Sequence, residues 1–337
     1  MQSREDIDRA LERWGEQLLR PGLRRYGRPG SDPSAARPVP LSGAAIRAGL
    51  RAIVSHTPEV MVKVTGGGRG MAAIKAHMSY ISRKGELALE NQDGLQLKGK
   101  EDLADLADEW RYGGGLIPEV SHRREAFHVM FSMPPGTDPQ AVYNAARALA
   151  REEFSQHKYA LVLHDPATDP DSHRPHVHMI VRAQSRNWKR LQPKKADLAR
   201  WRQEFADRLI ERGVAATATR RQSRGVVRPA LKLRDYHRGE QSRNWSMNPS
   251  PGARRTEHEV LEAWQNVAQA LCNSENAQDQ DLGRQIADFK SGMQSVARAT
   301  YLTRQHKRQI EWEVIQQELL AIARTIQQAR QGPSLER

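Results

Sequence analysis

The chain contains one cysteine, Cys272, in 337 residues, and this scarcity excludes two kinds of site. A single thiol cannot form an internal disulfide, and it cannot build a thiolate-rich structural zinc site. Any bound metal would therefore be held by nitrogen and oxygen ligands. No apolar stretch approaches the ~20 residues that cross a bilayer, and the N-terminal segment is too charged for a signal peptide. We therefore expect a cytoplasmic protein without membrane insertion.

The chain also has fewer acidic than basic residues. The chain has 40 Asp and Glu against 53 Lys and Arg, which leaves a formal net charge of +13. This excess favours a polyanionic partner, with nucleic acid as the leading candidate. The length suits one large domain with extensions at its ends.

Apolar periodicity and the distribution of Gly and Pro divide the chain into four predicted regions. A segment in which strands and helices alternate, with one clear hairpin, predicts an α+β or α/β fold around one mixed or antiparallel sheet. The regions are an N-terminal helix and Pro/Gly/Arg-rich linker (1–57), the segment of strands and helices (58–225), a basic linker (226–255) and a helical C-terminal region (256–331).

The segment HRPHVHMIV, residues 173–181, places His176 and His178 two positions apart in an apolar run typical of a buried strand. Side chains on a strand alternate between faces, so both imidazoles point the same way. A second apolar run, residues 159–163, ends in His164, and the polar Pro- and Asp-rich loop between the runs predicts a hairpin. The hairpin would bring three imidazoles together, a donor set suited to a catalytic metal.

A tyrosine that could act as a nucleophile toward phosphorus lies in the segment MAAIKAHMSYISRKGELAL, which is predicted to be helical up to about Arg83. Tyr80 has Arg83 and Lys84 beside it, with Lys63 and Arg69 nearby. A phenol with a pKa of ~10 becomes reactive only if positive charge, a metal or a base stabilises the phenolate. The alternative interpretation is that the Tyr80 ring packs on the sheet while the cations are simply solvated.

Three segments occur in the order HMSYISRKGELALE, FHVMFSMPPGT and HDPATDPDSHRPHVHMIVR. They are similar to the three motifs of the HUH-type DNA relaxases of conjugation and mobilisation, the family that includes the T-DNA-processing, VirD-type relaxases. The resemblance covers roughly residues 58–225. It implies an α+β fold with an antiparallel HUH-type central sheet flanked by helices, followed by an α-helical C-terminal region.

The resemblance implies an enzyme that nicks one DNA strand at a transfer origin, stays attached to the 5′ phosphate through a tyrosine, and later rejoins the ends. Carried over by motif, Tyr80 matches the nucleophile and Ser132 the serine that contacts DNA near the scissile phosphate. His164, His176 and His178 match the ligands of a divalent metal, Mg²⁺ or Mn²⁺. A phosphotyrosine conserves the bond energy, so cleavage would be reversible without ATP.

The spacer before the PHxH pair is longer than in the family, which leaves the assisting carboxylate open. Asp169 and Asp171 are candidates to orient a ligand histidine or to accept the tyrosine proton, and Asp165 is a third. Turn formation is the ordinary role of aspartates beside Pro and Ser. His173, in the same loop, is an alternative to His164 as the third ligand.

DNA contacts are expected mainly from basic residues outside the metal site. Cations bind backbone phosphates, and an exposed Trp can stack on an unpaired base. A single surface cation is usually just solvated, so the cluster as a whole supports the prediction. The candidates are Lys63, Arg69, Arg83, Lys84, Arg182, Trp188, Lys189, Arg190, Arg220, Arg221 and Arg224.

The expected partners are single-stranded transfer-origin DNA, accessory relaxosome proteins and the coupling protein of a type IV secretion system. Translocation with the bound DNA and self-association through residues 256–331 are further expectations. Two other functions stay open. A rolling-circle replication initiator shares the chemistry, although many carry a second tyrosine one helical turn from the first, and none stands there beside Tyr80. The other is a non-catalytic DNA-binding accessory protein, against which the intact tyrosine and histidines argue.

Overall fold

A computed structural model describes residues 3–19, 41–169, 172–219, 221–224 and 251–293. The chain divides into two compact units. Ser55–Thr219 form the first, which we call the sheet unit. The described parts of Met1–Val54 and Arg220–Arg337 form the second, the helical unit.

The sheet unit contains one six-stranded sheet in which every neighbouring pair of strands is antiparallel. The strands are β1 (Met61–Gly66), β2 (Leu89–Asn91), β3 (Gln96–Leu97), β4 (Ala126–Ser132), β5 (Tyr159–His164) and β6 (His176–Arg182). Their spatial order is β1-β4-β6-β5-β2-β3. The predicted α+β fold with an antiparallel central sheet is confirmed. The predicted hairpin is formed by β5 and β6, which occupy the middle of the sheet.

Helices cover both faces of this sheet. They are α4 (Met71–Ile81), α5 (Lys100–Tyr112), α6 (Pro139–Glu153) and α7 (Lys195–Ile210). Val177 and Phe131 belong to the core shared with α6 and α7, whereas Ile180 belongs to the core shared with α4 and α5. Because side chains alternate along a strand, His176 and His178 lie on the α4 side with Ile180.

The helical unit is built from segments at the two ends of the described chain. They are α1 (Arg4–Ala10), a π-helical turn (Leu11–Gly15), α2 (Glu16–Leu19), α3 (Gly43–Val54), a 3₁₀ turn (Arg221–Arg224), α8 (Pro251–Cys272) and α9 (277–293). Ile7, Leu50, Trp264 and Ile286 are buried in one shared hydrophobic cluster. Amphipathic helices of this length gain most of their stability from such packing.

This organisation differs from the predicted division, in which residues 1–57 and 256–331 were separate regions. The helix α8 also begins inside the predicted linker 226–255. Residues 226–250 and 294–331 lie outside the described chain. In the described part, no helix has both the length and the apolar character that crossing a bilayer requires.

Candidate functional site

Three histidines meet where β5 ends and β6 begins. His164 lies directly opposite His176 across the two strands, and His178 follows two residues along β6. The ring centroids are 5.0 Å apart for His164 and His176, 4.8 Å for His164 and His178, and 4.9 Å for His176 and His178. One possible ligand atom from each lies within 4.8 Å of the others. The structure therefore brings these three together, whereas His173 is exposed in the loop and is not part of the group.

Hydrogen bonds orient two of these rings. His164 Nδ1 lies 2.5 Å from Asp169 Oδ2, and its Nε2 lies 2.7 Å from the carbonyl oxygen of Ile81. His176 Nδ1 lies 3.0 Å from the carbonyl oxygen of Arg174. When Nδ1 donates to such an acceptor, Nε2 is the nitrogen that can bind a metal, and the outer contact fixes the ring. For His164, metal binding requires that Nε2 give up its contact with Ile81.

Burial favours the neutral imidazole at His176 and His178. It lowers the pKa of His178 from 6.5 to about 3, and repulsion from His164 and His176 adds to the effect. It also lowers the pKa of His176. A neutral imidazole keeps the lone pair that binds a cation, so no proton has to be displaced near neutral pH. The donor set fits a divalent metal ion.

A charged network links the histidines to Tyr80. Arg83 Nη2 donates to Asp169 Oδ2 at 2.8 Å, and the guanidinium carbon lies 5.7 Å from the centre of the Tyr80 ring. The hydrogen bond to Asp169 is the main cause of the raised pKa of Arg83, and Tyr80 adds to it. Burial raises the pKa of Asp169, but the hydrogen bonds from Arg83 and His164 outweigh it and lower the pKa overall. Asp169 is therefore a buried carboxylate shared by the guanidinium and the imidazole.

A tight turn after α4 holds Arg83 in place. Tyr80, in the last turn of α4, is 62% exposed. The chain then passes through Arg83 (φ 51°), Lys84 (φ 59°) and Gly85 (φ 94°). Residues other than glycine rarely adopt this left-handed conformation, and a Cβ at Gly85 would lie 2.8 Å from the backbone of Gly99. The turn brings the Arg83 side chain back to the end of α4, while Lys84 is exposed.

The other predicted catalytic residues lie in different surroundings. Ser132 pairs with His176 across β4 and β6, but it is fully buried, and its hydroxyl lies 3.4 Å from the carbonyl oxygen of Pro175. It therefore joins two strand ends and presents no surface to DNA in this conformation. Asp165 accepts a hydrogen bond from the backbone N–H two residues on, which is the turn role expected of it. Asp171 lies outside the described residues.

Within the sheet unit, the described residues that were predicted to bind DNA do not form one cluster. Lys63 lies on the same sheet face as His178, because Met130 pairs with both. Arg69 lies in the turn before α4 and donates to the carbonyl oxygen of His122. Arg83 and Lys84 follow Tyr80, as described. Arg221 and Arg224 belong to the helical unit, and Arg220 is not among the described residues.

A second group of these residues lies beyond the other end of β6. Trp188 and Lys189 are exposed there, and Arg190 donates to Glu125. Arg182, the last residue of β6, is 3% exposed and donates to backbone carbonyl groups, so in this structure it does not face a ligand.

The structure also contains a histidine pair that sequence reasoning missed. His77 of α4 and His128 of β4 stack with centroids 3.3 Å apart, and the Tyr80 ring lies 6.2 Å from His77. Burial lowers the pKa of His77 to about 4 and that of His128 to about 3, with the charge of His77 adding to the shift at His128. Two spacings in the sequence could have drawn attention to these histidines. His77 precedes Tyr80 by one helical turn, and His128 alternates with Met130 and Ser132 along β4.

Comparison with known proteins finds similarity to one family of relaxases. Residues 80–214 match the family model of the MobA/VirD2-like relaxase nuclease domain. The T-DNA border endonuclease VirD2 of Rhizobium radiobacter is 25% identical over 202 residues, which cover 54% of this chain and 46% of that protein. The VirD2 of Agrobacterium fabrum is 26% identical over 202 residues, which cover 54% of this chain and 44% of that protein.

The chain thus spans about half the length of the curated relatives it matches. Within it, the matched residues 80–214 include Tyr80 and all three histidines of the cluster. Residues 80–214 are therefore similar to the nuclease domain of the MobA/VirD2-like relaxases, the family that the motifs predicted.

Proposed function

We propose that the chain nicks and rejoins one DNA strand at a transfer origin, in conjugative transfer or mobilisation, through a phosphotyrosine at Tyr80. The network around Arg83 carries this proposal. Arg83 contacts the Tyr80 ring and is hydrogen-bonded to Asp169, which in turn holds His164. An exposed hydroxyl nucleophile and a candidate metal site therefore share one end of the sheet unit.

In the proposed reaction the Tyr80 hydroxyl oxygen attacks the scissile phosphorus. The bond between phosphorus and the 3′ oxygen breaks, the tyrosine loses its proton to a base, and the leaving oxygen gains a proton. The products are a free 3′ hydroxyl and a 5′ phosphate esterified to Tyr80. Because one phosphodiester is exchanged for another, the 3′ hydroxyl can reverse the step and restore the strand.

His164, His176 and His178 would hold a divalent metal ion, with Mg²⁺ or Mn²⁺ as the expected ion. Such an ion, when bound, polarises a non-bridging phosphate oxygen and offsets the charge that develops in the transition state. The protein orients the rings in advance through Asp169 and the carbonyl group of Arg174.

Asp169 had two candidate roles, and its contacts favour one of them. Its Oδ2 accepts from both Arg83 and His164, and its pKa is lowered. A carboxylate with a lowered pKa is a poor acceptor for a phenol proton. We therefore assign Asp169 to orienting His164 and positioning Arg83. Arg83, which contacts the Tyr80 ring, then places a positive charge beside the proposed nucleophile, where it can offset negative charge on the phosphate that is attacked.

Lys63 and Lys84, both exposed near this end of the sheet, are the proposed contacts to phosphates flanking the nick. The accessory relaxosome proteins, the secretion coupling protein, the cytoplasmic location, translocation with DNA and self-association through residues 256–331 stay predictions.

The test is covalent adduct formation. The 337-residue chain is incubated with single strands from a transfer origin and Mn²⁺ or Mg²⁺, and adducts are resolved on denaturing gels. Wild type should form an adduct that Tyr80→Phe abolishes and that chelation of the metal prevents. Tyr112→Phe is the matched control, because Tyr112 is similarly exposed, at 65%, but lies at the end of α5.

Other outcomes separate the alternatives. DNA binding without any adduct in the wild-type protein would support the accessory protein. An adduct on replication-origin strands in place of transfer-origin strands would support a rolling-circle initiator. An adduct that persists in Tyr80→Phe would contradict the assigned nucleophile.

A further inference from the structure

A short turn after β6 exposes a tryptophan in a conformation that bulky residues avoid. Trp188 is 71% exposed and has φ 60°. The backbone N–H of Ser185 donates to the carbonyl of Lys189 at 2.8 Å, and the N–H of Trp188 donates to the carbonyl of Ser185 at 3.1 Å. The Ser185 hydroxyl accepts from the N–H of Lys189 at 3.0 Å. A left-handed backbone conformation costs free energy at a large residue, and these hydrogen bonds stabilise it at Trp188. They thereby hold the indole toward solvent.

A glycine turn lies against this indole. Gly113, Gly114 and Gly115 follow α5, and Arg182 donates Nη1 to the carbonyl oxygen of Gly113 at 2.9 Å and Nη2 to that of Gly115. A Cβ at Gly115 would lie only 3.2 Å from the Trp188 ring. One edge of the indole therefore rests on glycine backbone, and the buried guanidinium of Arg182 fixes that backbone. The arrangement is a rigid support that leaves most of the ring exposed.

The charges around Trp188 are predominantly positive. Arg186 and Lys189 flank it in the turn and are exposed. Arg190 donates to Glu125 at 3.1 Å and to the carbonyl oxygen of Arg124 at 2.6 Å. Glu125 is buried and is also paired with an arginine of its own loop, so it offers little negative charge to solvent. An aromatic face among cations is the combination that binds single-stranded nucleic acid.

This turn lies far from the histidine cluster. His176 begins β6 and Arg182 ends it, so the two ends are about 20 Å apart at the usual rise per residue of a strand. A ligand at Trp188 therefore cannot also be the phosphate at Tyr80, but a single strand long enough to follow the sheet unit could reach both.

We propose that Trp188, supported by the Gly113–Gly115 turn, stacks on a base of single-stranded DNA several nucleotides from the scissile phosphate. The neighbouring Arg186 and Lys189 bind the adjoining phosphates. The identity of the ligand rests on the proposed function, whereas the stacking itself does not require cleavage. This contact positions the strand, and it is not part of the reacting centre.

The test compares binding of two oligonucleotides to the 337-residue chain carrying Tyr80→Phe, which removes the proposed nucleophile. One spans the nick with about 4 nucleotides and the other extends to about 16, the range of single-strand site sizes. Trp188→Ala should weaken binding of the longer strand roughly 5- to 100-fold by fluorescence anisotropy, the range expected for loss of one stacked base. Binding of the short strand should not change. Trp188→Phe should retain most of the affinity.

Ile210→Ala is the matched control, because Ile210 is a 55% exposed apolar residue on α7, outside both sites. Wild-type affinity of Trp188→Ala for the longer strand overturns the proposal, and so does an equal loss for both strands. A Trp188→Phe variant as weak as Trp188→Ala would also overturn it, because an aromatic ring should suffice for stacking. If the wild-type protein forms no adduct while Trp188→Ala still weakens binding of the longer strand, the proposed function fails and the stacking site stands.

Discussion

Arg83 and Asp169 are 86 residues apart in the chain, yet Arg83 Nη2 donates to Asp169 Oδ2 at 2.8 Å. The Asp169 side chain is 4% exposed and also contacts His164. A buried carboxylate is tolerated only when it is paired and hydrogen-bonded. The pair therefore fixes two things together, the ring of a candidate metal ligand and the cation beside the candidate nucleophile.

Replacing Arg83 tests the link to Tyr80. Arg83→Ala should slow adduct formation about 10- to 100-fold, the range seen when an outer contact of a metal site is lost. Arg83→Lys should recover only part of the rate, because a point charge cannot reproduce the planar guanidinium. The measurement is the single-turnover rate at saturating DNA. Lys75→Ala, which removes a cation of α4 from an exposed ion pair with Asp108 of α5, should keep the wild-type rate. Equal rates for Arg83→Ala and wild type would contradict the role of Arg83.

Replacing Asp169 tests the candidate metal site. Asp169→Asn keeps a hydrogen-bond acceptor for His164 but loses the charge, and we expect roughly 10- to 100-fold weaker Mn²⁺ binding by calorimetric titration. Asp165→Asn preserves the oxygen that caps the loop turn, so its Mn²⁺ affinity should equal that of wild type. If the two variants bind Mn²⁺ equally, Asp169 does not orient a ligand.

The stacked pair His77 and His128 predicts acid sensitivity of the sheet unit. Both have a lower pKa in the folded protein than the ordinary 6.5. Below about pH 6.5 the unfolded chain therefore binds protons that the folded chain does not, and stability falls as the pH decreases toward 3. His128→Phe keeps a ring in the stack but removes one titrating group. This variant should therefore lose less of its free energy of unfolding on acidification than wild type, by on the order of 1–3 kcal/mol.

The measurement for His128→Phe is urea unfolding at a series of pH values between 7 and 4. Near pH 7 both imidazoles are neutral in the folded and the unfolded chain. In that range the free energies of unfolding of wild type and His128→Phe should therefore differ by an amount that does not change with pH. A pH dependence identical to wild type would show that burial of this pair does not resist protonation.

Patterns local to the sequence predicted much of the geometry of the candidate site. The hairpin of β5 and β6 was predictable because His164, His176 and His178 sit at the ends of apolar runs separated by a polar loop, and strand periodicity sets which way they face. Tyr80 could be named as a candidate nucleophile because its motif is contiguous. The partners that position these groups lie far away in sequence, so the contact of Arg83 with Asp169 and the stack of His77 on His128 were not predictable.

Whether a particular side chain is buried was also hard to infer from its residue type and position in the sequence. Arg182 was predicted to bind DNA, as an arginine after a strand reasonably is, but it is buried and donates to the Gly113 and Gly115 carbonyl groups. The helical unit was missed for a related reason. Its cluster joins Ile7 and Leu50 to Trp264, and periodicity predicts each apolar helix face but not the face it packs against.

The ion pair of Arg47 and Asp279 ties the two ends of the helical unit together. Arg47 Nε and Nη2 donate to the two carboxylate oxygens of Asp279 at 2.8 and 2.9 Å, and Nη1 donates to Asp8 at 2.6 Å. Removing one partner of a pair this buried leaves an uncompensated charge. Arg47→Ala should therefore destabilise the protein by about 3–5 kcal/mol in urea unfolding. Arg284→Ala, which breaks an exposed pair in the same unit, should cost less than about 1 kcal/mol.

The same pair sets a pH dependence with a defined sign. The hydrogen bond from Arg47 lowers the pKa of Asp279 below its ordinary 3.8. The pair therefore contributes its full stability above pH 3.8, where the carboxylate is charged in both states. That contribution is lost as the pH falls through the lower pKa of the folded protein. The stability difference between wild type and Arg47→Ala should thus be constant from neutral pH down to about pH 4 and shrink below it. A difference that grows on acidification would contradict the assignment, because it would mean that Asp279 is protonated more readily in the folded chain than in the unfolded one.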